Sequence, residues 1–187
     1  MNRLLSTIKA YLDALREYEF SSDHFAYRPI REEDADVLVS WRSDKDIIQY
    51  YKNNLPITLE SHLKWYRGSY LPDDRRLDWV VWDGETPVGF VALTHIDNEK
   101  QKCEVNYTIG NLSYRHRGFG AEILNAVVKF GREKFGINRF VAEVHINNVA
   151  SQRTAEKSGF VEDQCANGFK KFILTDSEMG RKFWGTL

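Results

Sequence analysis

The sequence predicts an α/β fold in which a mixed, mostly antiparallel central sheet is flanked by helices. Three observations predict it: some segments carry apolar residues at helical spacing, others alternate apolar with polar residues, and the two kinds follow one another along the chain. The 187 residues are 42% hydrophobic and 28% charged, a balance typical of one globular domain with a buried core.

The first segment predicts an amphipathic helix over residues 3–19, because its apolar residues recur at helical spacing until Ser21 interrupts them. We therefore expect an N-terminal helical extension at residues 1–22 and a single domain at residues 23–187. The helix is expected to pack on the sheet, with dimerisation through it as the alternative. Charged residues such as Lys9 and Asp13 break its apolar run, so we expect no secretory signal, no membrane segment and a cytoplasmic location.

The middle of the chain predicts one strand, three helices and then three antiparallel strands. Thr58 is a candidate N-cap of the third helix, whose Leu59, Leu63 and Tyr66 are expected to face inward. The pair Asp83-Gly84 predicts a tight turn between the first two of the three strands. The predicted ranges are strand 25–30, helices 34–42 and 44–51, and strands 79–82, 88–94 and 103–109.

The last third of the chain predicts two helices that alternate with two strands, at residues 139–146 and 169–174. The first helix follows a glycine-containing loop, runs through Phe135 and ends at Gly136, a typical C-cap residue. Asn147 or Asn148 caps the second, shorter helix, which ends at Gly159.

The composition excludes several classes of partner. The 26 Lys+Arg and 27 Asp+Glu residues give a formal net charge of −1, so no global basic excess is present to neutralise a nucleic-acid backbone. Cys103 and Cys165 lie far apart and match no metal-ligand spacing, which predicts neither a metal site nor a disulfide. We expect a small-molecule amine or a peptide N-terminus as partner, no nucleic acid, no membrane, and a monomer or homodimer.

Residues 115–120 form the most informative segment, because Gly118 and Gly120 allow a tight turn just before a helix begins. The free N–H groups at such a helix N-terminus bind phosphate, and Arg115 and Arg117 add positive charge. The spacing matches neither G-x-G-x-x-G nor a G-K-[ST] loop, which excludes those two nucleotide-binding motifs. An ordinary loop-to-helix turn remains the alternative.

The same loop resembles the R-x-x-G-x-G signature of GNAT acetyltransferases, which Arg115, Gly118 and Gly120 match. Downstream, residues 148–151 resemble the family's N-x-x-S helix, and residues 157–160 resemble its K-x-G-F ending. The motifs occur in the family's order, and the resemblance covers about residues 25–175. It implies the GNAT fold and an enzyme that moves an acetyl group from acetyl-CoA to a primary amine, with no metal.

The resemblance also implies where acetyl-CoA binds. In this family the strand before the loop separates from its neighbour, and its free backbone groups pair with the pantetheine arm, while the loop holds the pyrophosphate. The cofactor-binding residues implied here are Tyr107, Thr108, Ile109, Arg115, His116, Arg117, Gly118, Phe119, Gly120, Asn148 and Ser151. For Asn148, a role as helix N-cap is the alternative and is compatible with the first.

Two residues are predicted to be catalytic. Glu104 is the expected general base, since it shares a strand face with Asn106 and Thr108, and related enzymes place an acidic residue there; a solvated strand carboxylate is the alternative. Many family members donate a proton from a Tyr where this chain has Ala155. Ser151 resembles the replacement found in the ribosomal-protein-modifying (Rim-type) branch, where the serine bonds the thiol; an ordinary helix-surface serine is the alternative.

The acceptor is expected to bind the first third of the chain. Its residues Trp41, Arg42, His62 and Trp65 resemble those of the branch that acetylates nucleotide-linked amino sugars, including the pseudaminic acid acetyltransferases. The hairpin at residues 83–89 resembles that branch's D-G-x-P-V-G form, with one additional residue before the proline. A core role for Trp41 and a structural role for His62 are the alternatives. Two further functions stay open: N-terminal acetylation of a ribosomal protein, with Asp73, Asp74 and Asp78 as groove acids, and a non-catalytic acyl-CoA sensor, favoured by Ala155.

Overall fold

The computed structural model describes Ala10, Ala14 and residues 17–175. The predicted helix at residues 3–19 lies mostly outside the described residues, although Ala10 and Ala14 are both helical. The extension at residues 1–22 therefore stays a prediction. The sheet itself begins slightly earlier than the predicted boundary, because Phe20–Ser21 already pairs with the next strand.

One sheet of eight strands forms the centre of the described chain, in the order β1-β2-β3-β4-β5-β6-β8-β7. Every neighbouring pair is antiparallel except β5 and β6, which confirms the predicted mixed sheet. The strands are β1 Phe20–Ser21, β2 Ala26–Pro29, β3 Leu77–Asp83, β4 Thr86–Asp97, β5 Lys102–Ile109, β6 Arg139–His145, β7 Val161–Ala166 and β8 Phe169–Thr175.

The sequence interpretation missed β1 and β7. The strand β1 is only two residues long, too short for any alternation to be visible. All six residues of β7 are exposed at the edge of the sheet, so this strand has no apolar face that a sequence pattern could reveal.

The helices cover the two faces of the sheet. On one face lie α1 and α3, which ends in a π-helical turn at Tyr66–Tyr70, and they pack on Val80 and Phe90. On the other face α4 and α5 pack on residues such as Val91 and Val105. The helices are α1 Ala35–Arg42, α2 Lys45–Ile48, α3 Leu59–Trp65, α4 Phe119–Phe135 and α5 Val149–Lys157.

The predicted helix ends are confirmed by their capping geometry. The hydroxyl of Thr58 accepts a hydrogen bond from the N–H of Ser61 at the start of α3. Gly136 ends α4 in the left-handed region, at φ +64. Asn148, rather than Asn147, caps α5. The inward direction of Leu59 was wrong: its side chain is 42% exposed, and α3 instead buries His62.

The parallel pair β5–β6 separates soon after it begins. Its register contains only three residue pairs, from Lys102 opposite Arg139 to Glu104 opposite Val141. Residues 105–109 of β5 continue to pair with β4 alone, so the edge of this segment that faces β6 has no strand partner. The result is a V-shaped opening at the centre of the sheet, between the C-terminal halves of β5 and β6.

None of the helices in residues 17–175 has the length and apolar character needed to cross a lipid bilayer. Within the same residues, no three His, Cys, Asp or Glu side chains come together in a way that could hold a metal ion.

Candidate active site

The loop before α4 presents a row of free N–H groups. Gly118 stands at φ +86 immediately before the helix, a conformation that favours glycine, and His116 is also left-handed at φ +61. No acceptor within residues 17–175 pairs with the N–H groups of residues 116–120. Because α4 is 17 residues long, its dipole adds to the attraction of an anion at this end. The loop therefore fits the pyrophosphate expected from the sequence.

Arg115 has a different role from the neighbouring loop residues. Its guanidinium donates hydrogen bonds to the carbonyl oxygens of Ile109 (3.0 Å) and Gly110 (3.1 Å) and to the Asp44 carboxylate (3.1 Å). Its backbone N–H is bonded to the carbonyl of Leu112. Arg115 thus fixes the loop to the end of β5 and to the start of α2, and the expectation that its charge and N–H face the ligand is corrected.

The cofactor expected in the V-shaped opening would meet β5 and α5. Tyr107 and Thr108 lie on the edge of β5 that has no partner on the β6 side, whereas the carbonyl of Ile109 already accepts from Arg115. On α5, the side-chain oxygen of Asn148 accepts a hydrogen bond from the N–H of Ser151 at 3.1 Å, so Asn148 is the N-cap of this helix. The Asn148 amide nitrogen has no acceptor among the described residues and is available to a ligand.

Glu104 lies on the opposite face from α4 and α5, beside the point where β5 and β6 separate. Its carboxylate is 34% exposed and lies 3.2 Å from Nδ1 of His95, which occupies an irregular position of β4. Asn106 and Thr108 follow on the same strand face, and the Asn106 amide donates to the Thr94 hydroxyl at 3.4 Å. The predicted common face of Glu104, Asn106 and Thr108 therefore lines one wall of the opening.

Residues 50–52, just after α2, span the opening on the Glu104 face. The Tyr51 hydroxyl is 2.6 Å from that of Thr108 on β5, while Lys52 forms an ion pair with Glu143 on β6. Burial raises the pKa of Tyr51, so its hydroxyl stays protonated at neutral pH. Sequence reasoning missed this segment, since no motif or spacing relates it to strands that lie far along the chain.

Three arginines lie between the sheet and helices α1 to α3. Arg28 is paired with the buried Asp34 at 2.6 Å, and Arg76 is paired with the buried Asp78 at 2.8 Å. The half-buried Arg42 has no carboxylate partner among the described residues, and its guanidinium stacks over the Tyr51 ring at 4.6 Å. We call the cluster of Arg42, Tyr51, His62, Trp65 and Arg76 the acceptor cleft, after the role predicted for three of its residues. Arg42 gives it one positive charge that no carboxylate of the described residues compensates.

The structure brings three of the four predicted acceptor residues to the cleft. Trp65 is half-buried, under the Arg76 guanidinium at 5.0 Å and beside the His62 ring at 5.4 Å. His62 is only 6% exposed, and its Nε2 has no hydrogen-bond partner. Trp41 is the exception: it is 8% exposed and packs against Phe90 and the backbone of Gly110, so the expectation that it stacks on a base or sugar is corrected.

We expect His62 to make stability depend on pH. Burial, helped by the charge of Arg42 and opposed by Asp78 and Asp34, lowers the pKa of His62 below its usual 6.5. As pH falls through about 6.5 the unfolded chain gains a proton that the folded chain does not, so the free energy of unfolding falls, by at most about 1.4 kcal/mol per pH unit for one proton. The Tm values of wild type and His62→Gln, measured by thermal unfolding, should converge as pH is lowered. A difference in Tm that stays constant with pH would contradict this.

Comparisons with known proteins agree with this geometry. The model of the acetyltransferase (GNAT) domain matches residues 24–161. The chain is 23% identical over 146 residues to the uncharacterised N-acetyltransferase YoaA of Bacillus subtilis, covering 76% of this chain and 82% of YoaA. It is 22% identical over 135 residues to the acetyltransferase PseH of Campylobacter jejuni, covering 72% of this chain and 81% of PseH.

The fold is also shared with solved structures. The aminoglycoside acetyltransferase AAC(6')-Ib, in complex with ribostamycin and coenzyme A, superposes with a TM-score of 0.76 at 16% identity, over 88% of this chain and 100% of that one. At this identity the likeness concerns the fold. The family match spans most of the chain and coincides with the open β5 edge and the glycine loop, so the chain belongs to the GNAT acetyltransferase family and is an acetyl-CoA-dependent N-acetyltransferase.

Proposed function

We propose that this enzyme acetylates a primary amine on a nucleotide-linked amino sugar. The observation that carries the proposal is the charge of the acceptor cleft. Arg28 and Arg76 are each neutralised by a buried aspartate, whereas Arg42 has no carboxylate partner among the described residues. A diphosphate supplies the missing negative charge and suits the planar donors of arginine. The resemblance of the first third of the chain to the amino-sugar branch supports the same acceptor.

On the cofactor side, acetyl-CoA supplies an activated thioester. The N–H groups of residues 116–120 bind its pyrophosphate, and the unpaired edge of β5 at Tyr107 and Thr108 binds the pantetheine arm. The Asn148 amide nitrogen binds the same arm while the Asn148 oxygen caps α5. Arg115 acts from beneath the loop, by holding residues 109 and 110 in place.

On the acceptor side, Glu104 accepts the proton of the attacking amine. The amine nitrogen forms a bond to the acetyl carbon, the carbon–sulfur bond breaks, and the sulfur leaves with the electron pair. Freeing an amine of pKa near 8 from its proton at pH 7 costs about 1.4 kcal/mol, against about 4.6 kcal/mol for a lysine amine. A partly exposed carboxylate such as Glu104 is a sufficient base for the first kind of acceptor. Ser151 donates a hydrogen bond to the departing sulfur.

The second candidate function is N-terminal acetylation of a ribosomal protein, which the Ser151 motif favours. Such an enzyme needs an acidic groove for a basic peptide. Of the three acids expected to form it, Asp78 is buried and paired with Arg76, so it cannot attract a peptide. The acceptor cleft carries a net positive charge instead, which favours the amino sugar.

The proposal is tested by the release of free thiol from acetyl-CoA in the presence of a panel of acceptors. UDP- and dTDP-linked amino sugars are compared with basic N-terminal peptides. Turnover with the nucleotide sugars supports the proposal, and turnover with peptides alone moves the assignment to the ribosomal-protein branch. Tight binding of acetyl-CoA without turnover on any acceptor would favour the sensor function.

Arg42→Ala is expected to raise the KM for the nucleotide sugar about tenfold or more, because a charge-assisted hydrogen bond contributes about 1.5–3 kcal/mol. The KM for acetyl-CoA should not change. The matched control is Arg67→Ala, since Arg67 is an exposed arginine paired with Glu32 outside the cleft. Steady-state kinetics with each substrate varied in turn measure both constants. Equal effects of the two variants on the sugar KM would remove Arg42 from the acceptor site.

A further inference from the structure

Arg42 is held in a different way from the two other arginines on this face of the sheet. Arg28 and Arg76 each donate two hydrogen bonds to an aspartate, which neutralises their charge. None of the Arg42 N–H groups donates a hydrogen bond to an acceptor within residues 17–175, and its guanidinium instead lies over the Tyr51 ring at 4.6 Å. A ring face attracts a guanidinium without using its N–H groups, because these lie in the guanidinium plane. Tyr51 therefore leaves both the charge and the donors of Arg42 available.

The Tyr51 ring is itself fixed at its hydroxyl end. The hydroxyl lies 2.6 Å from that of Thr108 on β5. Burial raises the pKa of Tyr51, so the phenol stays neutral and does not act as a counter-ion for Arg42. The preceding residue is also in contact with the sheet, since the Tyr50 ring lies 5.9 Å from the His145 ring on β6. The ring under Arg42 is therefore a fixed support.

Such a support matters for binding, because an arginine side chain has many rotamers and a ligand that binds it has to immobilise it. When the side chain is already ordered in the free protein, this loss of freedom no longer opposes binding. For Arg42, which has no ion pair among the described residues, the contact with the Tyr51 ring is the interaction that orders the guanidinium.

We propose that Tyr51 is a positioning residue that holds the Arg42 guanidinium, with its N–H groups free, in place for the anionic part of the acceptor. This inference rests on the proposed role of Arg42. Tyr51 acts through the face of its ring, and Thr108 acts through the Tyr51 hydroxyl. No contact between Tyr51 and the acceptor is required.

The first test uses the ligand-free enzyme. The order parameter of the Arg42 Nε–H group, obtained from ¹⁵N relaxation, is compared in wild type, Tyr51→Phe and Tyr51→Leu. We expect a value above about 0.6 in the wild type and below it in Tyr51→Leu, since lower values are typical of flexible groups. Tyr51→Phe keeps the ring and loses only the bond to Thr108, so its value should lie between the two.

The second test is turnover. Tyr51→Leu should raise the KM for the nucleotide sugar about fivefold, with kcat and the KM for acetyl-CoA unchanged, because it removes a contact that orders the binding group. In combination with Arg42→Ala it should raise this KM no further than Arg42→Ala alone, since both variants remove the same interaction. An additive effect of the two variants would contradict the inference.

The matched control is Tyr50→Leu, which removes a half-buried ring from the same segment, but one that contacts His145. It should change neither the order parameter of Arg42 nor the KM for the sugar, and an effect equal to that of Tyr51→Leu would overturn the inference. If either quantity fails to respond to Tyr51→Leu, the inference is overturned and the proposed function stays intact. A wild-type enzyme that does not acetylate nucleotide sugars would overturn the proposed function, and the order parameters would still decide whether Tyr51 holds Arg42.

Discussion

Replacing Glu104 by glutamine is expected to lower kcat about a hundredfold or more, while the KM for acetyl-CoA stays unchanged. Glutamine keeps the shape of the side chain but cannot accept a proton from the amine. Glu104 also lies on the face opposite to α4 and α5, so its replacement should not disturb the loop that we propose binds the cofactor. Free-thiol release with the best acceptor measures the effect.

The control for this prediction is His95→Gln, because Nδ1 of His95 lies 3.2 Å from the Glu104 carboxylate. The His95 side chain is 68% exposed, and exposed pairs contribute little, so we expect a change in kcat of no more than about threefold. A loss in His95→Gln as large as that in Glu104→Gln would indicate that the two groups act as a unit. Near-normal turnover of Glu104→Gln would remove it as the base.

Gly89→Ala is expected to give the largest loss of stability among the variants considered. A Cβ atom at this position would lie 2.1 Å from the carbonyl oxygen of Thr108 and 3.1 Å from Cα of Ile109. Both contacts are with backbone, so relief requires β4 and β5 to move apart. We expect the free energy of unfolding to fall by about 3 kcal/mol and Tm by about 6–12 °C.

The same variant should weaken coenzyme A binding, since the strain is released at the open edge of β5 that we propose binds the pantetheine arm. Thermal unfolding and calorimetric titration with coenzyme A measure the two effects. Gly68→Ala is the matched control: a Cβ atom there meets nothing within 4 Å, and its stability should change by less than about 0.5 kcal/mol. An unchanged Tm for Gly89→Ala would show that the two strands are not held this closely.

This clash also explains why the hairpin at residues 83–89 requires its final glycine. The sequence shows Gly89 only as part of a resemblance, whereas the structure shows the carbonyl that excludes a side chain. Other local features could be predicted with their physical reason, including the Thr58 and Asn148 caps and the common face of Glu104, Asn106 and Thr108. Each of these depends on spacing within one segment.

Features that depend on distant segments could not be predicted in this way. Arg115 was assigned to the ligand because it lies in the glycine loop, but its partner Asp44 is 71 residues away in sequence. Tyr51 reaches Thr108 across 57 residues, and no pattern connects them. Trp41 lies on the buried side of α1, and only the close approach of Gly110 shows that its ring is covered.

The acceptor cleft itself combines both kinds of information. Arg42, His62 and Trp65 were identified from a resemblance, and the pairing of Arg28 and Arg76 with aspartates became visible only in the fold. The uncompensated charge of Arg42 follows from that pairing. The proposed preference for an anionic acceptor therefore could not be derived from the net charge of the chain, which is −1.

The most direct test of the account is the ratio of kcat/KM for one amino sugar with and without its nucleotide diphosphate, measured by free-thiol release from acetyl-CoA. The account predicts that the nucleotide-linked sugar is preferred about tenfold or more, because Arg42 is otherwise left without a negative partner. Equal values, or a preference for the free sugar, would contradict an anionic acceptor in this cleft.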